Sequence, residues 1–272
     1  ITHGPVFSEF VGADGKLSTR IRLYAELPRV EIHTRLLNNE RHVRYRVCFP
    51  TSIRAGCAFH EIPFGAVPHP EGIECPAQNW IDQGNGNQGV ALLNRGLPGN
   101  NVADGVMMLS LLRSATLGGY GYGGGYEPGM GSDTGLELGK QFAFDYALLP
   151  HVGTWDEAGV PREGMAFNHP LTAVTAAAQP GTLPVRWGLL EISHSNVLVS
   201  AVKPGENGGV VLRLYEASGR LAEGVTVRLS LPLASAEEVN LMEDPGRTLA
   251  LHDNSIQLDF RPFEIKTIAL MF

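Results

Sequence analysis

Between Ser18 and Leu37 the chain alternates twice. In STRIRLYA, Thr19, Ile21 and Leu23 fall on one face and Arg20 and Arg22 on the other; in RVEIHTRLL, Val30, Ile32, Thr34 and Leu36 oppose Glu31, His33 and Arg35. A side-chain period of two is that of a half-buried strand, and the proline turn between the runs makes them neighbours in one sheet. The same period returns in VVLRLYEA, in GVTVRLSL with Val225, Val227, Leu229 and Leu231 on one face, in SIQLDF and in EIKTIALMF. Turn-forming EASGR, EDPGR and HDNS separate these runs, so the sequence predicts an antiparallel meander whose last strand, near Phe272, is tied into a sheet.

Helical periodicity is scarce. The best stretch is LTAVTAAAQPG, where Ala173 to Ala178 predict a turn or two before Pro180 and Gly181 stop it. From Gly118 to Gly139 glycine is so frequent that a long loop is expected, and loops of that length usually serve a purpose. With 33 Gly and 18 Pro in 272 residues, many short strands joined by tight turns fit better than long helices. The expected fold class is therefore all-β, an antiparallel sandwich with few or no helices.

Charge and cysteine usage narrow the setting. The formal net charge is −7, so a polyanion meets a repelling field and nucleic acid is excluded as a partner. The densest basic stretch, NNERHVRYRV, places Arg41, Arg44 and Arg46 on a strand and its turn, a solvated face. No apolar run has the roughly 18 to 20 residues that cross a bilayer, so no membrane contact is expected. Cys48, Cys57 and Cys75 show no metal or redox spacing and are expected to be buried free thiols. The segment from Ile1 to Gly15 has neither the apolar run of a signal peptide nor the Arg-rich look of a transit peptide. The expectation is a cytoplasmic, bacterial protein, with more chain ahead of Ile1.

Catalytic patterns are mostly absent. Gly119, Gly121 and Gly124 spell G-x-G-x-x-G, but Pro128, Gly129 and Gly131 forbid the helix that a dinucleotide site needs. There is no HExxH, no nucleophile elbow G-x-S-x-G and no Walker loop. The acids Asp82, Asp104, Asp133, Asp145, Asp156 and Glu157 are scattered without the telling pair of a glycosidase. Tyr120, Tyr122 and Tyr126 in the Gly-rich loop can either stack on sugar rings or pack that loop onto its own domain.

Several stretches, in order, resemble the C-terminal β region of family-38 glycoside hydrolases, the α-mannosidases. They are GPVFSEF and TRIRLYAELPRVEIHTRLLN, then HEIPFGAV (60–67), PAQNWID (76–82), GVALLNRGLPG (89–99), LSLLRSA (109–115), FDYALLPHVGTWDEAG (144–159) and LRLYEASGR (212–220). The resemblance implies a large β super-sandwich akin to the galactose-mutarotase fold, with a smaller sandwich subdomain near 195–272. It also implies a partner in the same protein, an N-terminal catalytic barrel that carries the nucleophile, the acid/base carboxylate and zinc.

On this reading the chain holds no cofactor and no catalytic residue, and its parent hydrolyses α-mannosides with retention through a covalent intermediate. The chain supports the barrel and edges the sugar cleft. In some members of the family an arginine of the β region reaches toward the sugar, and the resemblance points to Arg113 in LLRSA for that place; the alternative is an outward strand arginine with ordinary surface pairing. Carbohydrate-facing candidates from the residues themselves are the three loop tyrosines, Trp80, and the cluster His151, Trp155 and Asp156. The structural alternative has Trp155 filling a joint between two sheets and Asp156 capping the turn at Gly153. Two other functions stay open: a free-standing carbohydrate-binding module on the Tyr loop and Trp80, and a mutarotase-like epimerase, which needs a His and a carboxylate converging in a cleft.

Overall fold

A computed structural model describes residues 1–54, 56–119, 125, 129–178, 180–182, 184–206 and 208–272. The chain divides into two compact units, residues 1–62 with 67–160, and residues 63–66 with 161–272. The strands are antiparallel throughout, as the alternation requires.

The first unit is built from β1 (Thr2–His3), β2 (Phe7–Asp14), β3 (Leu17–Tyr24), β4 (Val30–Asn38), β5 (Val43–Pro50), β6 (Cys57–Ile62), β7 (Gly65–His69), β8 (Cys75–Pro76), β9 (Trp80–Gly84), β10 (Gln88–Asn94), β11 (Gly99–Ala103), β12 (Val106–Ser114) and β13 (Lys140–Val152). A nine-stranded sheet runs β1-β2-β3-β4-β13-β10-β9-β6-β7, and a four-stranded sheet runs β5-β12-β11-β8. The two alternating runs read from the sequence are β3 and β4, paired with Ile21 opposite Ile32. Strand β13 joins the halves of the large sheet, pairing with β4 through Lys140 to Leu148 and with β10 through Tyr146 to Val152.

Ile32, Leu36, Phe144, Tyr146, Leu92 and Ile81 line the inner face of the large sheet and pack on Val102, Met107 and Leu109 of the small one. Each such side chain contributes roughly 1.5–3 kcal/mol by leaving water. Tyr146 carries a polar tip into this core and keeps it satisfied, its hydroxyl 2.7 Å from Thr34 Oγ1.

The second unit holds β14 (Leu190–Ile192), β15 (Val197–Pro204), β16 (Val210–Glu216), β17 (Ala222–Leu229), β18 (Ser235–Val239), β19 (Arg247–Thr248), β20 (Ser255–Phe260) and β21 (Ile265–Met271). The expected meander is corrected here. Sheet β14-β17-β20 faces sheet β15-β16-β21-β18-β19, so chain neighbours β16 and β17, and likewise β20 and β21, lie in different sheets. Splitting neighbours across two sheets lets Val225, Val227, Ile256 and Phe260 bury against Leu212, Leu214, Ile268 and Leu270. Leu231, expected on the same buried face as Val225, lies past the end of β17 and is 40% exposed. The final strand β21 sits between β16 and β18, so the chain end is tied in as expected.

The helical expectation is also corrected. Ala173 to Ala178 form no helix and are exposed; so short a segment with no apolar face to bury cannot offset the cost of nucleation. The α-helix α1 spans Val160–Asn168 instead. Its signal was Pro161 in the first turn, a favoured place for proline, obscured by Gly164. In the Gly-rich stretch, Leu117 bridges Ser132 and a single 3-10 turn covers Asp133–Leu136. The cysteines are free, but Cys48 and Cys57 are exposed and Cys75 is half-buried, contrary to the expected burial. Among the described residues no helix is long and apolar enough to cross a membrane.

Candidate functional site

The outer face of the large sheet carries the chief candidate. Alternation along β9 puts Trp80 and Asp82 on one side, and the registers Trp80 opposite Leu93, Asp82 opposite Ala91, and Gly89 opposite His151 carry that side across β10 to β13. His151 Nε2 lies 2.8 Å from Asp82 Oδ1, with side-chain exposures of 6% and 2%. Gly89 makes the approach possible: a Cβ there would fall 2.4 Å from His151 Cε1.

Burial is the main influence on Asp82 and raises its pKa, while the bond and charge of His151 oppose the rise. For His151 burial works against the charged form, yet the bond to Asp82 and its charge prevail and the pKa is raised. Each group thus satisfies the other.

Beyond β13 the chain turns at Gly153, whose φ is +75°. The Glu157 carboxylate accepts a bond from the Thr154 amide at 3.2 Å. Glu157 thus caps this turn. The turn lays Trp155 over Trp80, ring centroids 5.3 Å apart, and beside Phe59 at 5.6 Å. Trp155 packs on the outside of the large sheet and does not fill a joint between sheets, because the register places Trp80 and Phe59 on the face turned away from the core.

A cleft of about 470 Å³ opens beside these rings, lined among others by Cys57, Phe59, Asp82, Thr154, Trp155 and Asp156. The cleft thus has an aromatic wall with carboxylate and hydroxyl groups at its edge. Burial, with a smaller contribution from Asp82, raises the Cys57 thiol pKa, which leaves a poor nucleophile. Asp82 and His151 meet the formal need of an epimerase for a His beside a carboxylate, but they are bonded to one another and not set across a substrate-sized gap.

The sequence candidates do not converge on one place. His151, Trp155 and Asp156 come together with Trp80, but Trp80 is 1% exposed and serves as a floor under Trp155, not as a platform for ligand. Arg113 lies elsewhere, on the outer face of the four-stranded sheet, opposite Arg44. Tyr120, Tyr122 and Tyr126 lie outside the described residues. Asp82 and Phe59 were missed as site members. The alternation of WID did place Asp82 beside Trp80, but its partner His151 is 69 residues away and only strand register joins them.

The β6–β7 hairpin brings His60 and His69 within 4.5 Å between ring centroids. Burial, and then the neighbouring His69, lower the His60 pKa to about 4. Among the described residues no group of three His, Cys, Asp or Glu side chains is placed to hold a metal ion. The donor set does not fit a zinc site, which takes at least three protein ligands.

The comparisons agree with this geometry. Residues 2–117 match the glycosyl hydrolases family 38 C-terminal domain and residues 196–268 the family 38 C-terminal beta sandwich domain. Alpha-mannosidase 2C1 of mouse and of human is 32% identical over 277 residues, covering 96% of this chain and 25% of the relative. Alpha-mannosidase G of Dictyostelium discoideum is 28% identical, over 93% of this chain and 23% of the relative. Among solved structures, a family 38 glycosyl hydrolase from Enterococcus faecalis superposes with a TM-score of 0.78 at 21% identity, covering 94% of this chain and 30% of that one. The chain thus spans about a quarter of the length of the curated relatives it matches. It belongs to glycosyl hydrolase family 38, of which it carries the C-terminal β region.

Proposed function

We propose that the chain is the non-catalytic C-terminal module of a retaining, zinc-dependent α-mannosidase, supporting an N-terminal barrel that holds the nucleophile, the acid/base carboxylate and the metal. The observation that carries this reading is the pairing of high coverage of the chain with low coverage of relatives named α-mannosidase. The site chemistry supports it. Asp82 is held by His151 at 2.8 Å. A retaining glycosidase needs two carboxyl groups about 5–5.5 Å apart across the scissile bond; here Asp82 is engaged at the foot of its cleft. The test is hydrolysis of an aryl α-mannoside. Residues 1–272 alone should give no turnover above buffer, and the full-length protein should give zinc-dependent turnover that chelation removes. Zinc-dependent turnover by residues 1–272 would defeat the reading.

A second reading, carbohydrate binding by the module itself, is favoured by the Trp155 and Phe59 wall of the cleft. Titration with mannobiose, followed by tryptophan fluorescence, decides it: saturable binding lost in Trp155→Ala places sugar at this wall. Binding lost in Tyr122→Ala instead assigns it to the Gly-rich loop.

A further inference from the structure

The outer face of the four-stranded sheet carries a cationic cluster in a chain whose net charge is −7. Arg44 and Arg46 leave β5 on the same side, while Tyr45 and Val47 face the core. Arg113 stands directly opposite Arg44 on β12. Like charges directly opposed on neighbouring strands are destabilising. The placement is also built. Ser110 and Arg113 are three residues apart and on a regular strand would face opposite ways. An irregularity between Ser110 and Leu112 inserts the extra residue that returns Arg113 to the outer face.

Among the described residues Glu74 answers two of these three guanidinium groups. Glu74 pairs with Arg44, accepts from Arg46 Nη2 at 3.2 Å, and accepts the Ser110 hydroxyl at 2.9 Å. Gly99 opens the space for that carboxylate, since a Cβ there would fall 2.6 Å from Glu74 Oε1. Among the described residues Arg113 forms no ion pair, although it lines a groove of about 320 Å³ together with Arg44 and Glu74. Burial, followed by the charges of Arg46 and Arg113, lowers the Arg44 pKa.

We propose that this groove binds the carboxylate or phosphate group of a small anionic molecule, with Arg113 and Arg44 as its fork and Glu74 as a resident anion filling part of the site. Guanidinium forks match both groups bidentately, so the two share one chemistry.

The test is calorimetric titration of the chain at low ionic strength with inorganic phosphate and, separately, with malonate. Saturable binding of at least one probe is expected, weakened by added sodium chloride. Arg113→Gln should weaken it about tenfold and Glu74→Gln, by removing the competing charge, should tighten it about tenfold, each near 1.4 kcal/mol. A preference for phosphate identifies a phosphate ester as the ligand type, and a preference for malonate a carboxylate. Both residues are at the surface, and unchanged unfolding midpoints confirm that the variants are folded. The proposal is overturned if neither wild type nor Glu74→Gln binds either probe saturably, or if both variants bind as wild type does.

Discussion

Asp82 and His151, 69 residues apart in the chain, meet at 2.8 Å with both side chains more than nine-tenths buried. Two ionisable groups taken out of water together are stable only as a pair. Removing one partner typically costs about 3–5 kcal/mol, because the survivor is left buried and uncompensated. Asp82→Ala and His151→Ala should each lower the unfolding free energy by that order, and the double variant should cost much less than their sum. Urea unfolding of the four proteins measures this; additive losses would show that the contact contributes no coupling.

Gly89 makes the same pair sensitive to a single methyl group. It lies between β9 and β13, opposite Gly84 on one side and His151 on the other, so its backbone cannot retreat from the imidazole. Gly89→Ala should destabilise by about 2 kcal/mol or more, within the range of overpacked cores. In a His151→Ala background, where the ring is gone, the same substitution should cost far less. The two unfolding midpoints, compared in each background, give the answer.

Strand alternation was legible because it is local: β3, β4, β16, β17, β20 and β21 follow from a period of two. The assignment of strands to sheets was not. EASGR connects β16 to β17 whether the turn makes a hairpin or crosses a sandwich, and only the second lets both sheets bury their apolar sides. The site was half legible for a related reason. His151, Trp155, Asp156 and Trp80 stood out by residue type, but Asp82 looked like one of several scattered acids until the β9-β10-β13 register set it against His151. The face chosen by Arg113 hinged on a one-residue irregularity in β12 that LSLLRSA does not announce.

His60 and Glu61 are chain neighbours whose protonation works in opposite directions. Burial, then His69, lowers the His60 pKa from 6.5 to about 4. Between those values the unfolded chain binds more protons, so this residue costs stability as pH falls. Burial raises the Glu61 pKa from 4.5 to about 7 against the bonds from Asn79 and Trp80. There the folded chain binds more protons, and this residue costs stability as pH rises. From pH 4.5 to 6.5 the two slopes, each of at most about 1.4 kcal/mol per pH unit, largely cancel. Wild-type unfolding free energy should show little net slope from this pair in that window. His60→Phe should become more stable on acidification from pH 7 to 4.5, and Glu61→Gln less stable from 6.5 to 4. Parallel pH profiles for the two variants would refute the assignment.

Glu216 offers a test in the second unit. Its side chain is fully buried at the end of β16, and its carboxylate accepts from Asn196 Nδ2 at 3.0 Å and from the backbone amides of Ser218, Gly219, Arg220 and Phe263 at 2.7, 2.8, 3.1 and 3.0 Å. The turn that carries the chain from one sheet to the other is thus wrapped around an anion, and so is the start of the turn before β21. Bonds to a charged acceptor are worth about 1.5–3 kcal/mol each, and an amide in place of the carboxylate turns one acceptor into a donor facing N–H groups. Glu216→Gln should therefore destabilise by about 3 kcal/mol despite its matching shape, and Glu216→Asp, which keeps the charge but falls short of the amides, by a similar amount. Amide hydrogen exchange gives the local readout: protection of Gly219 and Phe263 should drop in both variants, and unchanged protection would mean that the carboxylate is not what holds the turn.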